Sequence, residues 1–183
     1  LKAEGVVQQQ KIGWADEMRL GLMSQVRRVW APVGVKIVQK IPITYTYIYL
    51  HLGVDGINGT IDWMWAENMK QESVVQAVTA WQKAGLEVLV WDGALSHRGA
   101  AVQAPDPVLI TQPPYSPELN PAERVFEAIR AEIEGKVYPT IAARQDTVAQ
   151  LLKTLSASPE RIKSLTGWTW IQETINSLEI STT

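Results

Sequence analysis

The chain has no cysteine, one phenylalanine and two histidines among its 183 residues. Each scarcity removes a class of chemistry. Without cysteine there is no disulfide framework, no thiolate zinc site and no cysteine nucleophile, a composition that suits a reducing, cytoplasmic setting. Two histidines, His51 and His97, are too few for a histidine-ligated zinc centre. Apolar runs are far too short to cross a bilayer, so no membrane partner is expected. Charge is scarce as well, with charged residues at 20% and a net charge of -2. That balance argues against a free-standing nucleic-acid binder, which is usually basic. What the chain does have is a hydrophobic fraction of 46% with eight Trp and five Tyr, enough apolar surface for one compact domain with a real core.

Hydrophobic periodicity divides the chain into an early β-rich part and a later helical part. Ile12, Trp14 and Asp16 share one side of a strand with a carboxylate near its end. A second strand or hairpin arm over Val26 to Ala31 breaks into a turn at Pro32 and Gly34. The clearest strand is Thr44 to Val54, with Ile48, Leu50, Leu52 and Val54 on one face and Tyr45, Tyr47, Tyr49 and His51 on the other. Gly56 to Gly59 turns it into Thr60 to Trp65, where Ile61, Trp63 and Trp65 align. Val74, Val75, Val78 and Trp81 then recur at helical spacing before Gly85. Val88 to Trp91 and Val108 to Thr111 are continuous apolar runs, the mark of strands covered on both faces. Leu119, Phe126, Ile129 and Ile133 line a helix that starts near Ser116 or Asn120 and stops by Gly135, and three helices follow at about 142–155, 159–165 and 169–178. The expectation is a mixed α/β, three-layer single domain over 1–183, with its core at about 12–135 and a helical C-terminal extension at about 140–183.

Three carboxylates stand out. Asp92 ends a buried strand, where open α/β sheets usually bind ligands, although Asp-Gly is also an ordinary turn signal. Asp16 lies near the end of another strand, with Glu17 beside it an equal candidate. Glu123 fits a capping box in which Asn120 is the N-cap and Pro121 the first helical residue, and it also borders the apolar helix face that looks toward the sheet. Two strand-end Asp residues and a helix Glu at the rim of one sheet make an all-oxygen set suited to Mg²⁺ or Mn²⁺. Two such ions about 3.5 to 4 Å apart can activate an attacking oxygen and stabilise a leaving one at a phosphate.

Four segments carry a family resemblance: Trp14-Ala15-Asp16-Glu17, the run Arg-Arg-Val-Trp-Ala-Pro-Val-Gly at 27–34, Val-Trp-Asp-Gly-Ala-Leu-Ser-His at 90–97, and Pro-Pro-Tyr-Ser-Pro-Glu-Leu-Asn-Pro-Ala-Glu at 113–123. In this order they resemble a bacterial insertion-sequence transposase, in the mariner-like branch of the DDE transposase superfamily. The resemblance runs from about Ile12 to Ile133. It implies a ribonuclease H-like catalytic fold and a metal-dependent DNA endonuclease and strand transferase using two Mg²⁺ or Mn²⁺ ions. Asp16, Asp92 and Glu123 become the catalytic and metal-binding carboxylates, which chooses Asp16 over Glu17. His97 matches the histidine that follows the second Asp, with a role near the metals or the DNA phosphate; the alternative is a partly exposed histidine at a helix start. Tyr115, Ser116 and Asn120 would shape the loop carrying Glu123, and Arg27 with Arg28 would either touch DNA or form a solvated turn.

The implied partners are DNA, both element terminal repeats and target, and a second copy in a homodimer. Helix-turn-helix segments precede the catalytic domain in such enzymes, and here the first strand starts about ten residues in, so recognition of terminal repeats is expected from an upstream region, from a separate polypeptide, or not at all. Two other readings follow from the same residues. One is an impaired or domesticated interaction module in which Trp168 and Trp170 feed a protein interface; the other is a ribonuclease H-like nuclease acting on RNA hybrids or junctions.

Overall fold

The computed structural model describes residues 1–23, 30–40, 43–94, 97, 99–103 and 108–178. Five strands form one sheet in the order β3-β2-β1-β4-β5, comprising β1 (Ile12–Gly21), β2 (Tyr47–Asp55), β3 (Thr60–Ala66), β4 (Val88–Trp91) and β5 (Val108–Thr111). The antiparallel meander β1-β2-β3 continues into the parallel pairs β1-β4 and β4-β5. The helices are α1 (Gln71–Lys83), α2 (Ala100–Gln103), α3 (Ala122–Ile133), α4 (Ile141–Ser156), α5 (Pro159–Thr166) and α6 (Thr169–Asn176). This is the mixed sheet flanked by helices that the periodicity predicts.

Strand alternation sends side chains to the two faces of the sheet, where they pack into three clusters. Leu20, Leu50, Leu52, Val54 and Ile61 meet Val125, Phe126, Ile129 and Ile133 of α3, together with Val148, Leu152, Leu155 and Ile162 of α4 and α5. On the opposite face Ala15, Leu89 and Trp91 pack on Val74, Val78 and Trp81 of α1. Ile12, Trp14, Val88 and Val90 meet Ile171 and Ile175 of α6. The three C-terminal helices therefore share clusters with the sheet. Gly53 explains how closely α1 approaches: a Cβ there would lie 3.3 Å from the Trp81 ring.

Several expectations change. Strand β1 runs on past Asp16 to Gly21 because β2 pairs with it from Trp14↔Val54 to Gly21↔Tyr47. Its parallel partner β4 reaches only as far as Trp14↔Val90. Asp16 therefore sits where β1 and β4 part, rather than at a strand end. Strand β5 is an edge strand with Val108 and Thr111 exposed, not a strand covered on both faces. Strand β2 starts at Tyr47 rather than Thr44. Of the arm expected at 26–31, residues 26–29 lie outside the described residues and Trp30 and Ala31 are not in a strand, while the turn closes as expected with Val35 N donating to Pro32 O at 3.1 Å.

A carboxylate cleft above a buried histidine pair

The parting of β1 and β4 opens a cleft of about 500 Å³ whose lining includes Asp16, Asp92, Asn120 and Glu123, with Tyr115 and Ser116 on its rim. The three carboxylates chosen from the sequence thus line one concavity, each delivered by a different element. Asp16 comes from β1, Asp92 from the residue after β4, and Glu123 from the first turn of α3. The segment 113–121 bends back over the cleft by way of Tyr115, whose φ of 59° is left-handed, and a short 3₁₀ turn at Pro117–Leu119. Tyr115 is the sole described non-glycine residue in that region of φ, a conformation uncommon for a bulky side chain.

Asn120 does more than shape the loop. Its buried amide donates to Ala15 O at 2.9 Å and to Asp16 Oδ2 at 3.4 Å, and its Oδ1 accepts from Ala122 N at 3.1 Å. Asn120 thereby ties the start of α3 to β1 beside Asp16. The expected capping box does not form: Pro121 occupies the N-cap without a side-chain bond, and the Glu123 carboxylate turns to Arg130, with Nη1 and Nη2 each 3.4 Å from Oε2.

Asp16 is the electrostatic centre. Burial raises its pKa from the ordinary 3.8 to about 7; the backbone N–H of Glu17, 2.8 Å from Oδ1, opposes this, and the charges of Glu17, Glu123 and Asp92 add to it. The carboxyl is therefore half protonated near neutrality, and a cation in the cleft would favour its charged form. As the side chains lie, no three His, Asp or Glu residues among those described are gathered closely enough to hold an ion. The donor set nevertheless has the right chemistry, being anionic oxygen in mutual repulsion.

Glu17, set aside in favour of Asp16, points to the opposite face of the sheet. Register explains its partner, since Glu17 lies directly across from His51 on β2. Its Oε1 accepts from His51 Nδ1 at 3.3 Å and from His97 Nε2 at 3.1 Å. The other nitrogen of His97, Nδ1, is 2.9 Å from Asp92 Oδ1, and its ring stacks on Trp91 with centroids 4.3 Å apart. Burial pushes the Glu17 pKa up, but the two histidine hydrogen bonds and charges more than offset it, leaving the group at about 2. For His97, burial works against the charged form and is outweighed by Glu17 and Asp92, so its pKa is raised. His97 is buried and does not line the cleft. It is not the partly exposed histidine of the sequence alternative but a buried post beneath Asp92, next to the carboxylate cleft.

Sequence reasoning missed the Glu17–His51 pair because strand register is not readable from one strand alone. Arg27 and Arg28 lie outside the described residues. Trp168 packs on the α6 cluster under the Arg124 guanidinium, with Trp170 beside it at 6.0 Å. Among the described residues no helix is long and apolar enough to cross a membrane.

Comparison with known proteins gives a consistent picture. The profile of the family described as DDE superfamily endonuclease matches residues 11–143. Among solved structures, the fold resembles the Mos1 transposase paired-end complex with left transposon end, with TM-score 0.67 and 14% identity over 91% of this chain and 54% of that one. The Mos1 strand transfer complex matches with TM-score 0.67 and 13% identity over 91% and 53%. A Mos1 mariner paired-end complex with Mn gives TM-score 0.64 and 14% identity over 91% and 54%. The chain thus spans about half the length of the solved chains it resembles. No curated protein matches it. The architecture is the ribonuclease H-like sheet of such catalytic domains.

Proposed function

This chain belongs to the DDE superfamily endonuclease family, and we propose that it is the catalytic domain of a cut-and-paste DNA transposase. The observation that carries this reading is the convergence of Asp16, Asp92 and Glu123 on one cleft at the split between β1 and β4. The unit proposed is a single catalytic domain, with the sheet and α3 as its core and the C-terminal helices packed onto it. Its substrates are DNA, namely the terminal repeats of an element and a target site, and it works as a homodimer in the cytoplasm.

Asp16, Asp92 and Glu123 would hold two Mg²⁺ or Mn²⁺ ions. When bound, such ions supply Lewis-acid stabilisation of attacking and leaving oxygens in an in-line displacement at phosphorus. The Mos1 complexes solved with Mn and with Mg support that choice of ion by likeness of fold. The residues of this chain contribute positioning. Asn120 holds Asp16 by its Oδ2 while the Glu17 backbone N–H holds Oδ1. His97, fixed from below by Glu17, holds Asp92. Arg130 keeps Glu123 paired until a phosphate or cation competes for either partner. Mg²⁺-dependent nicking of oligonucleotides carrying the element ends, abolished by Asp92→Asn, tests the reading.

A further inference from the structure

Beyond Trp14 the edge of β1 has no β4 residue beside it, and a groove of about 740 Å³ runs along that edge. Its walls bring together Arg19 on β1, Tyr45 and Tyr47 at the entry to β2, and Arg130 on α3. Tyr45 is 85% exposed and Tyr47 48% exposed. Arg19 lies over the Tyr47 ring at 5.5 Å, and Tyr49 meets that ring edge-on at 5.7 Å. An exposed aromatic ring in one groove with two guanidinium groups is what an unpaired base and its phosphates require, whereas a duplex keeps its base faces stacked inside.

Two facts link the groove to the carboxylate cleft. Glu17, which holds the His97 post beneath Asp92, is also on its wall. Arg130 is on its wall too, while its guanidinium reaches Glu123 at 3.4 Å. At that length the pair is loose and both partners are partly exposed, so a phosphate in the groove competes with Glu123 for Arg130. The acids on the groove wall compete little: Glu17 is buried and satisfied by two histidines, which leaves Glu134 against Arg19 and Arg130. Arg144, also on the wall, is committed to the carbonyls of Gly21, Leu22 and Met23.

We propose that this groove is a binding site for a single DNA strand, with an unpaired base stacked on the exposed Tyr45 ring and its phosphates on Arg19 and Arg130. Occupation of the groove draws Arg130 away and frees Glu123 for the metal set, so the strand itself completes the catalytic site. The proposal rests on the DNA-processing reading above and names the form of DNA engaged.

The test measures binding separately from cutting. In the Asp92→Asn protein, a single-stranded oligonucleotide containing 2-aminopurine is titrated by fluorescence, with the matching duplex alongside. Expected are tighter binding of the single strand, quenching of the probe base, about tenfold weaker binding in the additional variant Tyr45→Ala, and retention of binding in Tyr45→Trp. Arg19→Ala is expected to reduce the salt slope by about 0.7. The Tyr45 ring is exposed, so its loss is expected to leave the fold intact, which circular dichroism checks. Equal affinity in Tyr45→Ala, or equal binding of duplex and single strand, overturns the groove. So does an unchanged oligonucleotide affinity accompanied by a shift in oligomeric state on sedimentation, which would mean that a protein strand adds to the β1 edge. Failure of the wild type to nick DNA while Tyr45-dependent binding persists counts against the transposase reading and leaves the groove standing.

Discussion

Glu17 accepts a hydrogen bond from His97 Nε2 at 3.1 Å, and through that ring it is joined to Asp92, whose Oδ1 lies 2.9 Å from Nδ1. A buried carboxylate on one face of the sheet thus steers an exposed one at the mouth of the cleft. A charged network of this kind is costly to break from one side, because the partner left behind stays buried without compensation.

Glu17→Gln keeps the shape and removes the charge. Its loss is expected to destabilise the protein by about 2 kcal/mol at pH 6, the scale of a hydrogen bond to a charged group, as read by urea denaturation. The sign with pH follows from the two shifts. The depressed Glu17 pKa gives stability that is present above 4.5 and lost as pH falls toward about 2. The raised His97 pKa gives stability that is present below 6.5 and lost as pH rises through its folded value. The gap between wild type and variant is therefore widest near pH 5 to 6 and narrows on both sides. A gap that does not vary with pH would show that the charges play no part.

Asp16 predicts the opposite trend. With its folded pKa raised to about 7, the folded state holds the proton that the unfolded chain gives up near 3.8, so metal-free stability falls as pH rises through that window. Asp16→Asn is expected to remove the fall and to melt higher than wild type at pH 8. Titrating Mg²⁺ into wild type near pH 7 should release protons, detectable by calorimetry in buffers of different ionisation enthalpy. A lower melting temperature for Asp16→Asn at pH 8 would contradict the raised pKa.

Asn120→Ala leaves the Ala15 carbonyl without its buried donor and lets Asp16 turn. A loss of about 1 to 3 kcal/mol in stability is expected from the unsatisfied group, together with a fall in kcat that exceeds any change in KM for DNA. Asn120→Asp cannot donate to either oxygen and should be no better. Wild-type turnover in both variants would return Asn120 to a purely loop-shaping role.

Local order is legible in the residues themselves, whereas relations between elements are not. The Tyr face of β2 against the Leu50–Leu52–Val54 face is a period-two pattern, and α1 and α3 follow from helical spacing. Asp16, Asp92 and Glu123 stand out locally because each lies near the end or the start of an apolar pattern, but Glu17 fits that pattern as well as Asp16, and the choice of the three comes from the resemblance of four segments to DDE transposases. The role of Glu17 is not, because it depends on lying across from His51, and register is a relation between strands. The extent of β1 is hidden for the same reason: Met18 to Gly21 are strand because β2 is there to pair with them. Strand β5 looks buried from Val108, Leu109 and Ile110 alone, since position in a sheet is not a property of composition. Glu123 fits a capping box locally, and Arg130 two turns along the same helix claims the carboxylate instead.

The central claim is that Asp16, Asp92 and Glu123 act as one metal-binding set. The most direct test is Mg²⁺- or Mn²⁺-dependent nicking of element-end DNA by wild type beside Asp16→Asn, Asp92→Asn and Glu123→Gln, with folding of each variant checked by thermal melting. The account predicts nicking by wild type that EDTA stops, and loss by at least a hundredfold, about 2.7 kcal/mol in the barrier, in all three folded variants. Nicking at the wild-type rate by any one of them would contradict it.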